Sequence, residues 1–434
     1  MKTKKEKVLN ILELIFIFII SFLLCLNTQG IGLDEVWNYG FSYNMVTGLI
    51  PYKDFNMVVT PFFPFLGMLF MSIFGTNYIS YLIFNSIICT SIFYMMKRVF
   101  SNVSYILFPL LFSIIFPSYN LFCLLLLLII LYLEKNKSNN YLIGFILGLT
   151  FLTKQNIGLA LCIPSIFIKN HKKIIKRIIG FLIPNLIFLI YLIATNSFFE
   201  FIDYTFLGLR DFSQQNNKIN KLIIINIILS IYLLIKYFKT KDISILYILF
   251  FQIIGYPLAD KYHLTLSIIP LLGYLLADIK LKNSLIKLFS ILFTVLYCSA
   301  SIFCIFKNQY ILPNETNVFK YKPLKYDMVN HIVQVSSYFK KIKGNKYIIS
   351  KSAYIYKLEA NITIDKYDLL NKGNMGKNGN KKIVEEFNNR CAKEKCTFLV
   401  NPYEKGCLDE EITKYVLTNY QPKDQINGFL VLTN

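Results

Sequence analysis

Long apolar runs separated by short lysine-bearing breaks fill the first 306 residues, after which polar and apolar positions alternate over short distances. From Val8 to Leu26 the only charge is Glu13, and this run supplies about the 20 apolar residues that a helix needs to cross a bilayer. It is long for the apolar part of a secretory signal, and no small-residue cleavage pattern follows, so it is expected to stay as a span. Glu13 lies near one end, where its carboxylate can snorkel to the interface. Further runs at roughly 77–96, 102–116, 121–133, 141–153, 157–168, 178–195, 221–236, 243–259, 262–277 and 284–306 each predict another span, which makes about eleven.

The run PFFPFLGMLFMSIF at 61–74 decides the orientation of everything after it. Read as a juxtamembrane or re-entrant helix, it leaves 19 lysines and arginines on the cytoplasmic side of the spans and 6 in the external loops. Read as a full crossing, it inverts that bias and breaks the positive-inside rule. The juxtamembrane reading is therefore preferred. It puts the N-terminus inside and everything after Phe306 outside.

Residues 307–434 are lysine-rich and long enough for a small domain. The alternation in KYIISKSAYIYKL and the run CTFLV predict strands, KKIVEEFNNRCAKE predicts an amphipathic helix, and KGNMGKNGNKK predicts a loop. The expected organisation is a membrane domain over 1–306, whose external loop 27–76 carries an acidic pair, and an extracytoplasmic α/β domain over 307–434.

Composition supports this division. Hydrophobic residues make up 55% of the chain and charged residues only 16%, outside the averages of soluble domains. The net charge of +21 does not mark a nucleic-acid binder, because no basic stretch is interleaved with stacking aromatics; the charge follows topology instead. Of nine cysteines, six lie in or near spans as small apolar fillers, while two of Cys391, Cys396 and Cys407 can pair. Their spacing lacks the second pair and the histidines of a zinc site. The excess of Asn, Ile and Lys suggests an AT-rich, bacterial genome.

Candidate chemistry begins eight residues beyond the first span, at Asp34 and Glu35. Val36, Tyr39, Tyr43, Val46 and Ile50 recur every three or four residues, which predicts an interfacial helix with both carboxylates in its first turn. A bland account is a charge pair beside an aromatic belt. A carboxylate at the water boundary can also take a proton from an acceptor hydroxyl, which is general-base catalysis.

This loop, with its external Asp-Glu pair, Gly48, PYKDF and TPFFP after a short first span, resembles the first loop of GT-C glycosyltransferases that use polyprenyl-phosphate sugars, such as protein O-mannosyltransferases and lipid A aminoarabinose transferases. LTKQNIGLAL at 152–161 and KYHLTLSIIPLL at 261–272 are similar to later parts of those enzymes, so the likeness spans about residues 8–280. The resemblance implies a multi-span α-helical enzyme of GT-C type that moves a sugar from a polyprenyl phosphate, undecaprenyl phosphate in a bacterium, to a glycan, lipid or protein acceptor outside the plasma membrane. It makes Asp34 the base, with Glu35 orienting the acceptor or tuning its neighbour. Candidate cations for the phosphate are Lys154, beside Gln155, and Lys261, His263 and Arg210; Tyr52 and Asp54 in PYKDF are candidate acceptor-side residues. Asp260 can pair with Lys261. Where some relatives carry an acidic residue in the second external loop, FPSYN offers Asn120, which argues against a required divalent cation and leaves Asn120 with Asp34 or Asp54 as weak oxygen ligands.

A lipid or polysaccharide transporter would share the span count, but it is expected to show repeated halves and midplane charges, and neither is found. An envelope assembly factor built on the external domain would need no carboxylate pair in the first loop.

Overall fold

The computed structural model describes residues 4–27, 32–208, 221–256, 259–277, 283–307, 310–371, 373–404 and 409–434, with the side chains of 283–287 and 306 outside that description. Helices run in the order α1 Lys4–Leu26, α2 Leu33–Val46, α3 Phe62–Phe74, α4 Tyr78–Phe100, α5 Tyr119–Lys135, α6 Asn140–Phe151, α7 Gln155–Cys162, α8 His171–Ala194, α9 Leu222–Thr240, α10 Ile243–Phe251, α11 Lys261–Leu276 and α12 Asn283–Lys307. The C-terminal segment adds α13 Tyr326–Lys341, β1 Asn345–Ile349, α14 Ala353–Glu359, α15 Gly379–Cys391, β2 Cys396–Val400, α16 Glu410–Asn419, β3 Gln421–Ile426 and β4 Phe429–Thr433. The chain divides into two compact units, one of 1–28, 82–189 and 216–307, the other of 29–81, 190–215 and 308–434.

The stretches read from the sequence as spans are largely helical over their described residues. Five are long and apolar enough to cross a membrane: Lys4–Leu26, Tyr78–Ile114, His171–Ala194, Leu222–Thr240 and Leu288–Ile305. Shorter apolar helices occur at Phe62–Phe74, Asn140–Phe151, Gln155–Phe167 and Ile243–Gly255. The protein is a multi-pass membrane protein. The stretch expected as a separate span at 102–116 is instead broken into a turn of α-helix at Ser104–Leu107 and a 3-10 helix at Phe108–Ile114, where Pro109 removes a backbone donor. Helix α3 has 13 residues, so it rises about 20 Å and falls short of a hydrocarbon core of about 30 Å.

In the first unit, bilayer-facing and protein-facing sides are separated by chemistry. Helix α9 exposes Ile224, Ile225, Ile228 and Ile231, a stripe that hydrocarbon tolerates, and buries Asn226 on the other side. The Asn226 amide donates to Gln252 Oε1 at 2.8 Å and to the Ser267 hydroxyl, while Gln252 Nε2 donates to the Ile248 and Ser267 carbonyls. With no water available, these polar side chains specify which faces meet. Helices α6 and α8 approach by a different device, the small-residue repeat Gly144 and Gly148, which face Arg177, Phe181 and Pro184 across the contact. Arg177 then ties the helix ends together: its guanidinium lies 2.7 Å from Glu134 and donates to Asn140 Oδ1 and the Tyr247 hydroxyl.

The second unit holds a four-stranded sheet of order β1-β2-β4-β3, with β1 parallel to β2 and the other pairs antiparallel. Cys391 at the end of α15 and Cys396 at the start of β2 form a disulfide beside its core of Tyr347, Phe387 and Phe398. CTFLV and the amphipathic helix are where the sequence predicted them. In KYIISKSAYIYKL only the first half is a strand; residues 353–359 form helix α14, buried on every side, so its pattern lacks the polar face that marks a helix.

Residues 29–81 pack with this segment. The Asn44 side chain reads one peptide unit from both sides, donating to the Ile364 carbonyl at 2.7 Å and accepting from the Ile364 N–H at 3.1 Å. Asn56 donates to the Asn374 carbonyl at 2.8 Å. Helix α2 forms as its spacing predicted, but Val36 and Tyr39 are buried in protein rather than at a lipid interface, Tyr39 standing edge-on to Tyr78 and Tyr81.

A Cβ at Gly144 would overlap the Arg177 carbonyl oxygen, so Gly144→Leu should force α6 and α8 apart and cost about 1–3 kcal/mol. Thermal unfolding in detergent should show a lower midpoint than for Leu142→Ala, whose side chain is exposed.

Candidate active site

Three helices of the first unit begin at one place. Ser118 caps α5 by accepting from the Asn120 N–H at 3.0 Å, Lys154 is the residue before α7, and Asp260 caps α11 by accepting from the His263 N–H at 2.8 Å. Ser and Asp at these positions are ordinary N-cap choices, since each satisfies a helix donor left without a partner. The Tyr262 hydroxyl donates to Ser118 Oγ at 2.7 Å, and its ring stacks on Phe116, which fastens α11 to the start of α5.

From these starts four side chains join in a line. Lys154 Nζ donates to Asn120 Oδ1 at 2.9 Å, Asn120 Nδ2 lies 3.3 Å from His263 Nε2, and His263 Nδ1 lies 3.0 Å from both oxygens of Asp260. Asn120 and His263 are buried, Lys154 is half-buried over the Tyr119 ring, and Gln155 is buried beside it. A cation placed among three helix N-termini, each carrying partial positive charge, makes a site for an anion with several oxygens. Phosphate fits that description.

The structure thus brings together Asn120, Lys154, Gln155 and His263. Asp260 pairs with His263 rather than with Lys261, which is exposed and stands outside the line, because an N-cap side chain folds back over the third residue of its helix. Arg210 lies outside the described residues. Asp260 and Tyr262 were not picked out as site residues, although Asp three positions before His is a legible capping signal.

In the second unit, Asp34 and Glu35 occupy the first turn of α2 and diverge, as neighbours on a helix must. Asp34 is half-buried. Glu35 is buried and accepts from the Tyr78 hydroxyl; burial pushes its carboxyl above the ordinary value, and the charge of Lys322 together with the Tyr78 bond offsets part of that. Lys322 is itself fully buried, over the Tyr78 ring. Asp54 accepts from the Ile50 N–H at 2.7 Å while its own N–H donates to the Ile50 carbonyl, which closes the PYKDF turn. Tyr52, at positive φ in that turn, is buried, donates to the Val59 carbonyl at 2.8 Å and packs edge-on against Phe201. Among the described residues no group of three or more His, Cys, Asp and Glu side chains is gathered to hold a metal ion.

No protein-family model matches the sequence, and no curated protein is significantly similar to it. The fold is shared with solved structures of ArnT from Cupriavidus metallidurans. Against ArnT from Cupriavidus metallidurans bound to undecaprenyl phosphate the TM-score is 0.58 at 10% identity, covering 100% of this chain and 98% of that one. Against the same protein in the apo state it is 0.59 at 9% identity, covering 99% and 98%. At these identities the likeness establishes the fold.

Glu35→Ala removes a buried carboxylate that interacts with the buried Lys322 ammonium and accepts from the Tyr78 hydroxyl, and should cost about 3–5 kcal/mol. The pair Glu35→Leu with Lys322→Met, which removes both charges, should recover most of that in thermal unfolding.

Proposed function

We propose that the chain is a membrane glycosyltransferase that moves a sugar from a polyprenyl phosphate, undecaprenyl phosphate in a bacterial membrane, to an acceptor hydroxyl outside the plasma membrane. The observation that carries this reading is the Lys154 ammonium set among three helix N-termini, in a fold shared with an ArnT structure bound to undecaprenyl phosphate. The acceptor O–H gives its proton to the Asp34 carboxylate as its oxygen attacks the anomeric carbon from the side opposite the phosphate. The bond between that carbon and the phosphate oxygen breaks, the oxygen keeps the electron pair, and the configuration inverts. Lys154 and the helix N-termini stabilise the negative charge that grows on the leaving phosphate. Glu35, held by Tyr78 and Lys322, anchors α2 and so places Asp34.

The basic ends of the spans, with Lys97, Arg98, Lys135 and Arg177, lie at the opposite ends of these helices from Asn120 and Lys154, which supports a cytoplasmic N-terminus and an outward-facing site. The Cys391–Cys396 disulfide supports an oxidising compartment for 307–434. A transmembrane catalytic domain over 1–306 and an extracytoplasmic α/β domain after it follow from that topology.

Transfer from a radiolabelled undecaprenyl-phosphate sugar by the purified chain tests the chemistry. Asp34→Asn should lower turnover by about 10²–10⁴-fold while lipid-phosphate binding persists. Lys154→Met should weaken that binding by about 10–100-fold. Full turnover in Asp34→Asn would overturn the assignment of the base. A maleimide that reaches the Cys391–Cys396 pair, once it is reduced, only from the cytoplasmic side would overturn the topology.

A further inference from the structure

We infer that the second unit carries an acceptor subsite: a polar cavity between α13, residues 315–317 and the end of α14 holds one sugar ring, which makes the acceptor a carbohydrate. The place of this subsite in the reaction rests on the transferase reading; its ligand rests on the cavity itself.

The cavity measures about 110 Å³. One water needs about 10–15 Å³ of such space, so several water-sized groups fit, which suits the hydroxyls of a single ring and is too small for a folded partner. The floor is buried and consists of Ser336 from α13 with Glu359 and Ala360 from the end of α14. The rim is exposed, with Glu315 and Asn317 on one side and Ser337 and Lys340 of α13 on the other. Local bonds fix the floor against the rim. The Glu359 carboxylate accepts from the Asn317 N–H and, at 3.1 Å, from the Val318 N–H, while Asn317 Nδ2 donates to the Glu359 carbonyl at 3.1 Å. Ser336 is different. Its hydroxyl is buried and has no hydrogen-bond partner among the described residues, although a serine within a helix can fold back on an earlier carbonyl. A buried hydroxyl left in that state costs free energy, and a hydrogen bond from a ligand offsets it.

The lining selects the ligand. A sugar hydroxyl both donates and accepts, so it needs a neighbour of each kind. Glu315 and Asn317 Oδ1 accept, the Lys340 ammonium donates, and the two serine hydroxyls do either. Phosphate would meet the carboxylates of Glu315 and Glu359. A metal ion would meet the Lys340 charge, and the Glu359 oxygens already serve backbone N–H groups. Val333 and Ala360 add an apolar patch for the C–H face of a ring. The chain that frames the cavity also reaches the base: the Val318 carbonyl accepts from the Tyr78 N–H at 3.1 Å, Phe319 packs edge-on against the Tyr78 ring, and the Tyr78 hydroxyl donates to Glu35, the neighbour of Asp34. A sugar gripped here is therefore held by the unit that carries the base, which raises the effective concentration of its hydroxyls there.

The test titrates the full chain, in lipid nanodiscs prepared free of sugar detergent and without donor, against neutral hexose and N-acetylhexosamine disaccharides, both free and linked to diacylglycerol. Glu315→Gln combined with Lys340→Met, both on the exposed rim, should weaken binding about 10-fold at an unchanged thermal midpoint and raise KM for a carbohydrate acceptor more than it lowers kcat. Ser336→Ala should weaken binding severalfold without lowering the midpoint, because the hydroxyl it removes has no partner to lose. Lys341→Ala, exposed on the same helix but outside the cavity, should change neither. Tighter binding of the lipid-linked probes marks a glycolipid as the source and equal binding a free glycan; either supports the subsite. No binding of any probe by the wild type, or unchanged affinity in both cavity variants, overturns it. If binding follows the variants while the chain transfers no sugar, the transferase reading fails and the sugar site stands. If transfer proceeds and KM for the acceptor is unmoved in both variants, the subsite fails and the transferase reading stands.

Discussion

A lysine ammonium beside a bundle of apolar helices persists only where something accepts its hydrogen bonds, and the Asn120 amide oxygen does so here. The rest of the site follows from that constraint. The amide has a fixed polarity, so accepting from Lys154 turns its N–H toward His263 Nε2, while Asp260 faces the other ring nitrogen. These four residues are supplied by three helix starts, at α5, α7 and α11, where caps already bring polar side chains and backbone N–H groups to one end of the bundle. Folding the bundle and building an anion site are in this sense the same event.

The remainder of the first unit protects that arrangement. Gly144 and Gly148 let α6 lie close on α8, and the Arg177–Glu134 pair with Asn140 and Tyr247 locks the opposite ends of the same helices. Buried ion pairs contribute little net stability but are costly to break, so the pair acts mainly as a registry device. Asn226, Gln252 and Ser267 do the same for α9 and α11 without charge. In the second unit the base assigned to Asp34 stands beside a buried Glu35 whose partners, Tyr78 and Lys322, come from residues far along the chain.

Much of this was legible in the sequence. Apolar runs located the helices, the 61–74 segment read as a juxtamembrane or re-entrant helix contains a 13-residue helix, and spacing alone placed Asp34 and Glu35 in a first turn. Lys154, Gln155, Asn120 and His263 were candidates within the segments that carry the family resemblance, and in the structure they lie together at three helix starts. What was hidden was pairing. Nothing local says that Asn44 will bind the backbone of Ile364, 320 residues on, because any peptide unit offers the same donor and acceptor. Helix α14 escaped for the opposite reason, since burial on all sides erases its period. Two signals were present and unused: Asn427-Gly428, both at positive φ, which turns β3 into β4, and the Asp-x-x-His cap at 260–263.

The central claim is that a lipid phosphate binds where α5, α7 and α11 begin. Cross-linking with a photoactivatable polyprenyl phosphate, followed by peptide mapping, measures it directly. Adducts within residues 116–123, 153–158 and 260–265 are predicted, with loss of labelling when unmodified undecaprenyl phosphate competes. Competable adducts gathered instead at the other ends of these helices, around Lys97, Glu134 and Arg177, would contradict the account.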